Sequence, residues 1–523
     1  MGSIREVLLA RAADTGTALL AGDSRWTWTE YVAACARRAH AFRARLEPGR
    51  PPHVGLLMDN LPEMAFALGA AGLGDLVAVG LNTTRRGPAL AADVRKADCQ
   101  LVLADPRLTP LLADLDGIPV VTLDDPGWTS AVAAAPATPP EAAPDATSLF
   151  MLIFTSGTSG EPKAVRITHE KVTFPGAMLA DRFALGPDDV LYVSMPLFHS
   201  NAVMAGWAVS LASGGAMALA EKFSASGLLD DVRRHGATYL NYVGKPLAYV
   251  MATPEGPDDA DNPLRIAFGN EAGDRDIEGF ARRFGCEVVD GFGSTENAVI
   301  VSRVPGTPRG SLGQPLEGVA VLDPATGAEC PRAEFDESGH VTNLDEATGE
   351  LVNTTGTGQF AGYYNDETAT AERMRDGMYW SGDLAYRDAA GFVYYAGRTA
   401  DWLRVDGENL AAAPIERILL RHPSISEAAV YAVPDPASGD QLVAALVVIG
   451  GLSPDELTTF LDEQPDLGTK SRPRYVRVLD ALPRTATNKV LKRELRDVGV
   501  GGPAWVREER GTSYAVRTGS GDR

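Results

Sequence analysis

The chain has 523 residues, 45% of them hydrophobic and 22% charged, with a formal net charge of -21. That length allows roughly three to four ordinary folding units, or fewer large α/β domains, and the composition is that of a globular protein with a substantial core. So acidic a chain excludes nucleic acid as a partner and a strongly basic membrane-binding face; a site for a polyanion needs locally gathered Lys and Arg. Cys35, Cys99, Cys286 and Cys330 lie far apart with no CxxC pair, which points to reduced thiols in the cytoplasm and away from a disulfide framework or a zinc site.

In chain order, Arg5 and Glu6 interrupt the N-terminus before any long apolar stretch, so no signal peptide is expected. HVGLLM (53–58), LVAVGL (76–81) and QLVLA (100–104) read as strands separated by helical runs from Leu61 and over GPALAADVRKA. Alternation of this kind implies parallel pairing with helical crossovers. The Ala/Pro-rich stretch 126–147 reads as a surface connection. SLFMLIF resumes the pattern, followed by DVLYVSMP, TYLNYV, LRIAFGN and EVVDGF, with a helix DRDIEGFARRF stopped at Gly285.

The segment 202–220 lacks charge and approaches spanning length, but Gly206, Gly214 and Gly215 break it. It reads as a buried helix, a glycine turn and a short strand, so no transmembrane segment is expected. Beyond Arg398 the chain reads as a small α+β unit, with a helix opened by a capping box at Ser453 and Glu456. The residues from about Gly499 read as a loose tail. The fold expected is α/β: a large N-terminal domain (1–398) with parallel-rich sheets flanked by helices, and a small C-terminal α+β domain (399–523) on a hinge.

Strand LFMLIF runs directly into Thr155-Ser-Gly-Thr-Ser-Gly-Glu-Pro-Lys163. Glycines let N–H groups converge on one concavity, hydroxyls add donors, and lysine adds charge, a combination that can hold a polyphosphate. The spacing is not that of a Walker A loop. There is no GxSxG elbow for a serine hydrolase.

TSGTSGEPK resembles the phosphate-binding signature of the adenylate-forming superfamily, which contains acyl-CoA synthetases, peptide-synthetase adenylation domains and luciferases. Further motifs follow in that family's order, to about Leu495. The resemblance implies ATP contacts from Thr155, Ser156, Gly157, Thr158, Ser159, Gly160 and Lys163. In GFGSTE (291–296) it implies Phe292 stacking on adenine, Gly293 and Ser294 beside the nucleotide, Thr295 near the α-phosphate and carboxylate, and Glu296 holding Mg²⁺. Phe292 replaces a commoner Tyr. WSGDL is similar to the family's ribose-binding motif, with Asp383 and then Arg398 as the two ribose contacts.

RTADWLRVDGENL resembles the hinge segment, where Gly407, Glu408 and Asn409 would face a coenzyme A channel and Ala400 stands at the usual pivot position. PRTATNK is similar to the motif of the catalytic lysine, here Lys489, whose ammonium would bridge the acyl carboxylate and the α-phosphate. PLFHSN (196–201) resembles the motif beside the acyl pocket, whose lining is expected from His199, Trp207, Tyr242, Val243, Gly269 and Val299. A mostly apolar lining suits an apolar acid.

GLNTTRRGPAL, DWLRVDGENL and PRTATNKVLKREL are similar to bacterial long-chain fatty-acyl-CoA ligases and the fatty acid transport proteins. The activity implied is ATP-dependent formation of an acyl-adenylate from a carboxylic acid, then of an acyl-CoA, in the cytoplasm, with ATP, Mg²⁺ and coenzyme A. Alternatives are a steroid side-chain carboxylate as the acid, a carrier protein as acceptor, or an inactive homologue that binds without turnover. The basic run Lys470, Arg472, Arg474 and Arg477 would either meet the nucleotide end of coenzyme A or form a solvated face. Peripheral contact with a membrane and the oligomeric state stay open.

Overall fold

In the computed structural model, strands of β-branched and aliphatic residues are buried on both faces, as parallel sheets require. The structure describes all residues except 1, 156–161, 245, 338–340, 399–401, 406–407, 436–438, 465–466, 468–470, 485–489, 503, 508–510 and 517–523. The chain forms two compact units: Met1–Ile300 with Thr357–Met374, and Val301–Gly356 with Arg375–Arg523.

The first unit holds two sheets. One runs in the order Val120–Thr122, Leu101–Ala104, His53–Leu57, Val77–Gly80, Leu149–Thr155 and Lys163–Thr168, parallel except for the last pair. The other carries Glu287–Phe292, Ile266–Asn270, Tyr239–Val243, Val190–Val193, Ala216–Leu219 and Thr17–Ala21 in parallel, with Ser24–Thr27 antiparallel beyond. The expected α/β architecture with parallel-rich sheets is observed.

The uncharged segment folds as read, with one addition. A π-helical turn at Val203–Trp207 precedes the helix Ala208–Ser213, Gly214 caps it in the left-handed region (φ 78°), and Ala216–Leu219 is a buried strand. π-turns inside helices gather at functional sites. Among the described residues no helix is long and apolar enough to cross a membrane.

Two expectations are corrected. The stretch 126–147 is not mere connection: Pro126–Ala134 is a helix, capped where Asp125 accepts from the Trp128 amide. Its Trp128 is buried 4.8 Å from the Phe42 ring, so one aromatic anchor outweighs the weak periodicity. Nor are all residues beyond Gly499 loose. Trp505–Arg507 and Tyr514–Val516 extend a sheet from Tyr475–Leu479, and buried Tyr514 donates to the Pro473 carbonyl at 2.7 Å.

The second unit contains an antiparallel sheet of Val319–Leu322, Gly349–Asn353, Met378–Arg387 and Val393–Arg398. Its C-terminal portion is built on Gly439–Val448, which pairs antiparallel with Ile425–Asp435 and parallel with Tyr475–Leu479. The crossover helix Pro454–Asp462 has the expected capping box at Ser453 and packs Leu457 and Leu461 into a core with Ile415, Leu442 and Leu446.

Candidate active site

Of the phosphate-loop residues, Ser156, Gly157, Thr158, Ser159 and Gly160 lie outside the described residues, as do Gly407 and Lys489. The ends of the loop are described. Leu149–Thr155 and Lys163–Thr168 pair antiparallel with Thr155 opposite Lys163, so the loop closes a hairpin. Lys163 is buried (7% exposed), with its ammonium 3.7 Å from the Glu372 carboxylate and 5.2 Å from the centre of the Tyr363 ring.

Glu296 follows Thr295 in the turn after the strand Glu287–Phe292. Its Oε1 accepts from the Tyr363 hydroxyl at 2.8 Å. Asn297, at φ 54°, turns the chain there and bonds to the Gln359 side chain. Thr295 Oγ1 lies 3.0 Å from Ser200 Oγ, which brings the GFGSTE turn against the PLFHSN turn. Hydroxyls and one carboxylate are hard oxygen donors. Among the described residues no three His, Cys, Asp or Glu side chains gather. That donor set fits Mg²⁺ carried in on a polyphosphate, which needs one or two carboxylates besides phosphate and water.

Phe292 is half-buried, Gly293 exposed and Ser294 half-buried at the same turn. His199 stands at the N-cap position of the short helix Ser200–Ala202, 4.6 Å from the Phe198 ring. Trp207 is buried, stacked on Phe150 at 5.8 Å, and its indole N–H donates to Tyr31. Tyr242 packs among Phe280, Phe284 and Val232, and its hydroxyl donates to Asp290 at 2.9 Å. Gly269 lies beside it, where a Cβ would meet the Tyr242 carbonyl at 2.3 Å. Val299 is buried and Val243 half-buried.

Sequence reading missed an amide network at the carboxyl ends of these strands, where open α/β sheets place ligands. Asn241 donates to Asn201 at 2.6 Å, Asn201 reaches Asn270 at 3.3 Å, and Asn270 donates to the Gly291 carbonyl at 2.7 Å. The signal available was Asn241 inside the apolar run TYLNYV and Asn270 at the end of LRIAFGN. Also missed was Lys171, which is fully buried; its amine has no hydrogen-bond partner among the described residues. Burial pulls its pKa down to about 7, against a smaller opposing pull from Glu296.

In the second unit, Asp383 and Arg398 face each other on paired strands, with Arg398 Nε 3.3 Å from Asp383 Oδ1. Asp383 is buried. The preceding Gly382, at φ 76°, donates its amide to Glu350 at 2.6 Å. Glu408 and Asn409 begin the strand Glu408–Ala411, paired with Trp402–Val405; the pivot position Ala400 is outside the described residues.

The basic run is corrected at two of its four positions; Lys470 lies outside the described residues and Arg474 is half-buried. Arg472 and Arg477 form neither a solvated face nor open anion ligands, because both are buried in internal bonds. Arg477 donates to Tyr431 at 2.8 Å, and Arg472 pairs with Asp462 at 2.8 Å while donating to the Thr512 carbonyl.

Residues 9–364 match the model of the AMP-binding enzyme family, and 414–489 that family's C-terminal domain. The chain belongs to the AMP-binding enzymes. It is 54% identical over 508 residues to a medium/long-chain-fatty-acid–CoA ligase of Mycobacterium tuberculosis, covering 96% of this chain and 98% of that one. It is 47% identical over 504 residues to a steroid-22-oyl-CoA synthetase of Rhodococcus jostii, covering 95% and 91%. Among solved structures, ATP-bound MatB of Rhodopseudomonas palustris superposes with a TM-score of 0.82 at 26% identity, over 95% of this chain and 99% of that chain. An O-succinylbenzoate–CoA synthetase of Bacillus subtilis, solved with ATP and a magnesium ion, gives 0.78 at 27% identity, over 94% and 99%.

Proposed function

We propose that this AMP-binding enzyme is an ATP-dependent acid–thiol ligase that activates a medium- or long-chain fatty acid to its acyl-CoA in the cytoplasm. The observation that carries the reading is the grouping of Lys163, Tyr363 and Glu296. It sets a buried cation and a hydroxyl-held carboxylate beside a glycine-rich hairpin. The 54% relative over nearly full length supplies the substrate class.

In the first half-reaction the acid's carboxylate oxygen attacks the α-phosphorus, the bond to the β-phosphate oxygen breaks, and pyrophosphate leaves. Lys163 and the loop before it hold phosphate, Thr295 orients the attacking carboxylate, and Lys489 lowers the repulsion between two anions as they meet. Bound Mg²⁺, held by Glu296, would neutralise charge on the phosphates. Phe292 stacks on adenine, and Asp383 with Arg398 takes the ribose hydroxyls, a bidentate task suited to a carboxylate. His199, Trp207, Tyr242, Val243, Gly269 and Val299 shape the acyl side. In the second half-reaction the coenzyme A thiol attacks the acyl carbon and AMP leaves, with Glu408 and Asn409 at the thiol's approach. The division at Arg398, with 399–523 as a domain that moves between the half-reactions, belongs to the same proposal.

The test is incubation of the purified protein with ATP, Mg²⁺, coenzyme A and an acid mixture, with products read by mass spectrometry. The mixture spans medium to very long fatty acids and a steroid side-chain acid. ATP-dependent fatty acyl-CoA supports the reading. Product from the steroid acid alone would move the substrate to the class named for the 47% relative.

A further inference from the structure

The segment Thr357–Met374 returns to the first unit after the chain has left it at Ile300. It docks on Lys163–Thr168 through a single antiparallel bridge. Arg166 N–H donates to the Gly362 carbonyl at 3.1 Å, Tyr364 N–H to the Ala164 carbonyl at 2.8 Å, and Val165 bridges Tyr363. The Tyr363 amide is spent on Thr370 Oγ1 at 3.0 Å. This pairing fixes the Tyr363 backbone beside the strand that begins at Lys163.

The side chain has three partners. Its ring faces the Lys163 ammonium at 5.2 Å, its hydroxyl donates to Glu296 Oε1 at 2.8 Å, and Arg373 bonds to the same hydroxyl. A phenol has one proton to give. With that proton on Glu296 and a guanidinium behind the oxygen, the donor is polarised toward the carboxylate.

We propose that Tyr363 is a positioning residue for adenylation. Its hydroxyl, backed by Arg373, holds the Glu296 carboxylate in the orientation that receives the divalent cation of Mg·ATP, and its ring holds Lys163 beside the same phosphates. This rests on the reading of Glu296 given above. One side chain thereby couples the cation-binding carboxylate to the phosphate-loop lysine.

The experiment is ATP binding to the intact protein, without acid so that nothing turns over, titrated with Mg²⁺. Tyr363→Phe removes one oxygen and keeps the ring. It should raise half-saturating Mg²⁺ by roughly tenfold, the scale of lost support behind a metal ligand. Thioesterification of preformed acyl-adenylate, KM for the acid and the thermal midpoint should hold. Tyr363→Leu should also weaken ATP binding without Mg²⁺, because Lys163 loses its ring. Unchanged half-saturation in Tyr363→Phe overturns the proposal, and so does a uniform loss across both half-reactions with a lowered midpoint. Wild-type Mg²⁺ dependence in Glu296→Gln would show the cation lies elsewhere, and takes the proposal with it. The ligase reading is judged separately, by wild-type acyl-CoA product.

Discussion

Asp383 and Arg398 stand opposite each other on two antiparallel strands, their charged groups 3.3 Å apart. The aspartate is buried on a rigid strand while the arginine side chain is 41% exposed. A ribose with two adjacent hydroxyls can therefore bond to a carboxylate already fixed in place. Asp383→Asn keeps the shape and removes the charge. KM for ATP should rise about tenfold to a hundredfold, the worth of a hydrogen bond to a charged acceptor. Steady-state kinetics at saturating acid measures this, and an unchanged KM would remove Asp383 from the nucleotide site.

Lys171 makes a prediction about stability. Its folded pKa is about 7 against an ordinary 10.5. Between those values the unfolded chain holds a proton that the folded chain has shed, so stability should rise with pH over that window and be lowest below it. Lys171→Met, nearly isosteric and uncharged, should raise the urea midpoint at pH 7 and flatten the rise toward pH 9. A lower midpoint at pH 7 would mean the amine has a partner that the geometry does not show. His169, on the same helix, is pulled by burial to about 4. Below its ordinary value the unfolded ring takes the proton first, so stability should fall as pH drops from 6.5 toward 4.

Gly269 tests the backbone at the acyl side. A Cβ there would meet the Tyr242 carbonyl at 2.3 Å and its ring at 2.5 Å, and neither strand can yield without disturbing Asn270. Gly269→Ala should cost about 1–3 kcal/mol of stability, as overpacking does. Urea unfolding reports it, and an unchanged midpoint would show that the strands give way.

Much of this was legible in the sequence because it rests on short-range rules. Continuous apolar runs marked the strands buried on both faces, Gly285 and Gly214 marked helix ends through the left-handed region, and Ser453 with Glu456 spelled a capping box. The phosphate loop after the strand at Leu149 and the two motif residues Asp383 and Arg398 could be picked out from sequence, whereas the antiparallel pairing of Thr155 with Lys163 and of Asp383 with Arg398 came from the structure. What was not legible depends on distant residues. Tyr363 reaches Glu296 across 67 positions of sequence, and Trp128 packs on Phe42, although the Asp125 cap and Pro126 that open its helix were local signals left unread. Arg472 and Arg477 read as either a coenzyme A contact or a solvated face, since a basic run carries no mark of the carboxylate, hydroxyl and carbonyls that bury them.

Lys489 carries the strongest functional prediction. Lys489→Ala should slow adenylation by about two to three orders of magnitude, the effect of removing one charge-stabilising donor. Conversion of preformed acyl-adenylate to acyl-CoA should survive. Equal losses in both halves would contradict the proposed movement of 399–523.

The central claim is that a carboxylate oxygen attacks the α-phosphorus of ATP, and an acid labelled with ¹⁸O in both carboxylate oxygens tests it most directly. After one turnover with coenzyme A, the account predicts one labelled oxygen on AMP and the other in the thioester carbonyl. Label in pyrophosphate or inorganic phosphate, or unlabelled AMP beside labelled acyl-CoA, would contradict an acyl-adenylate.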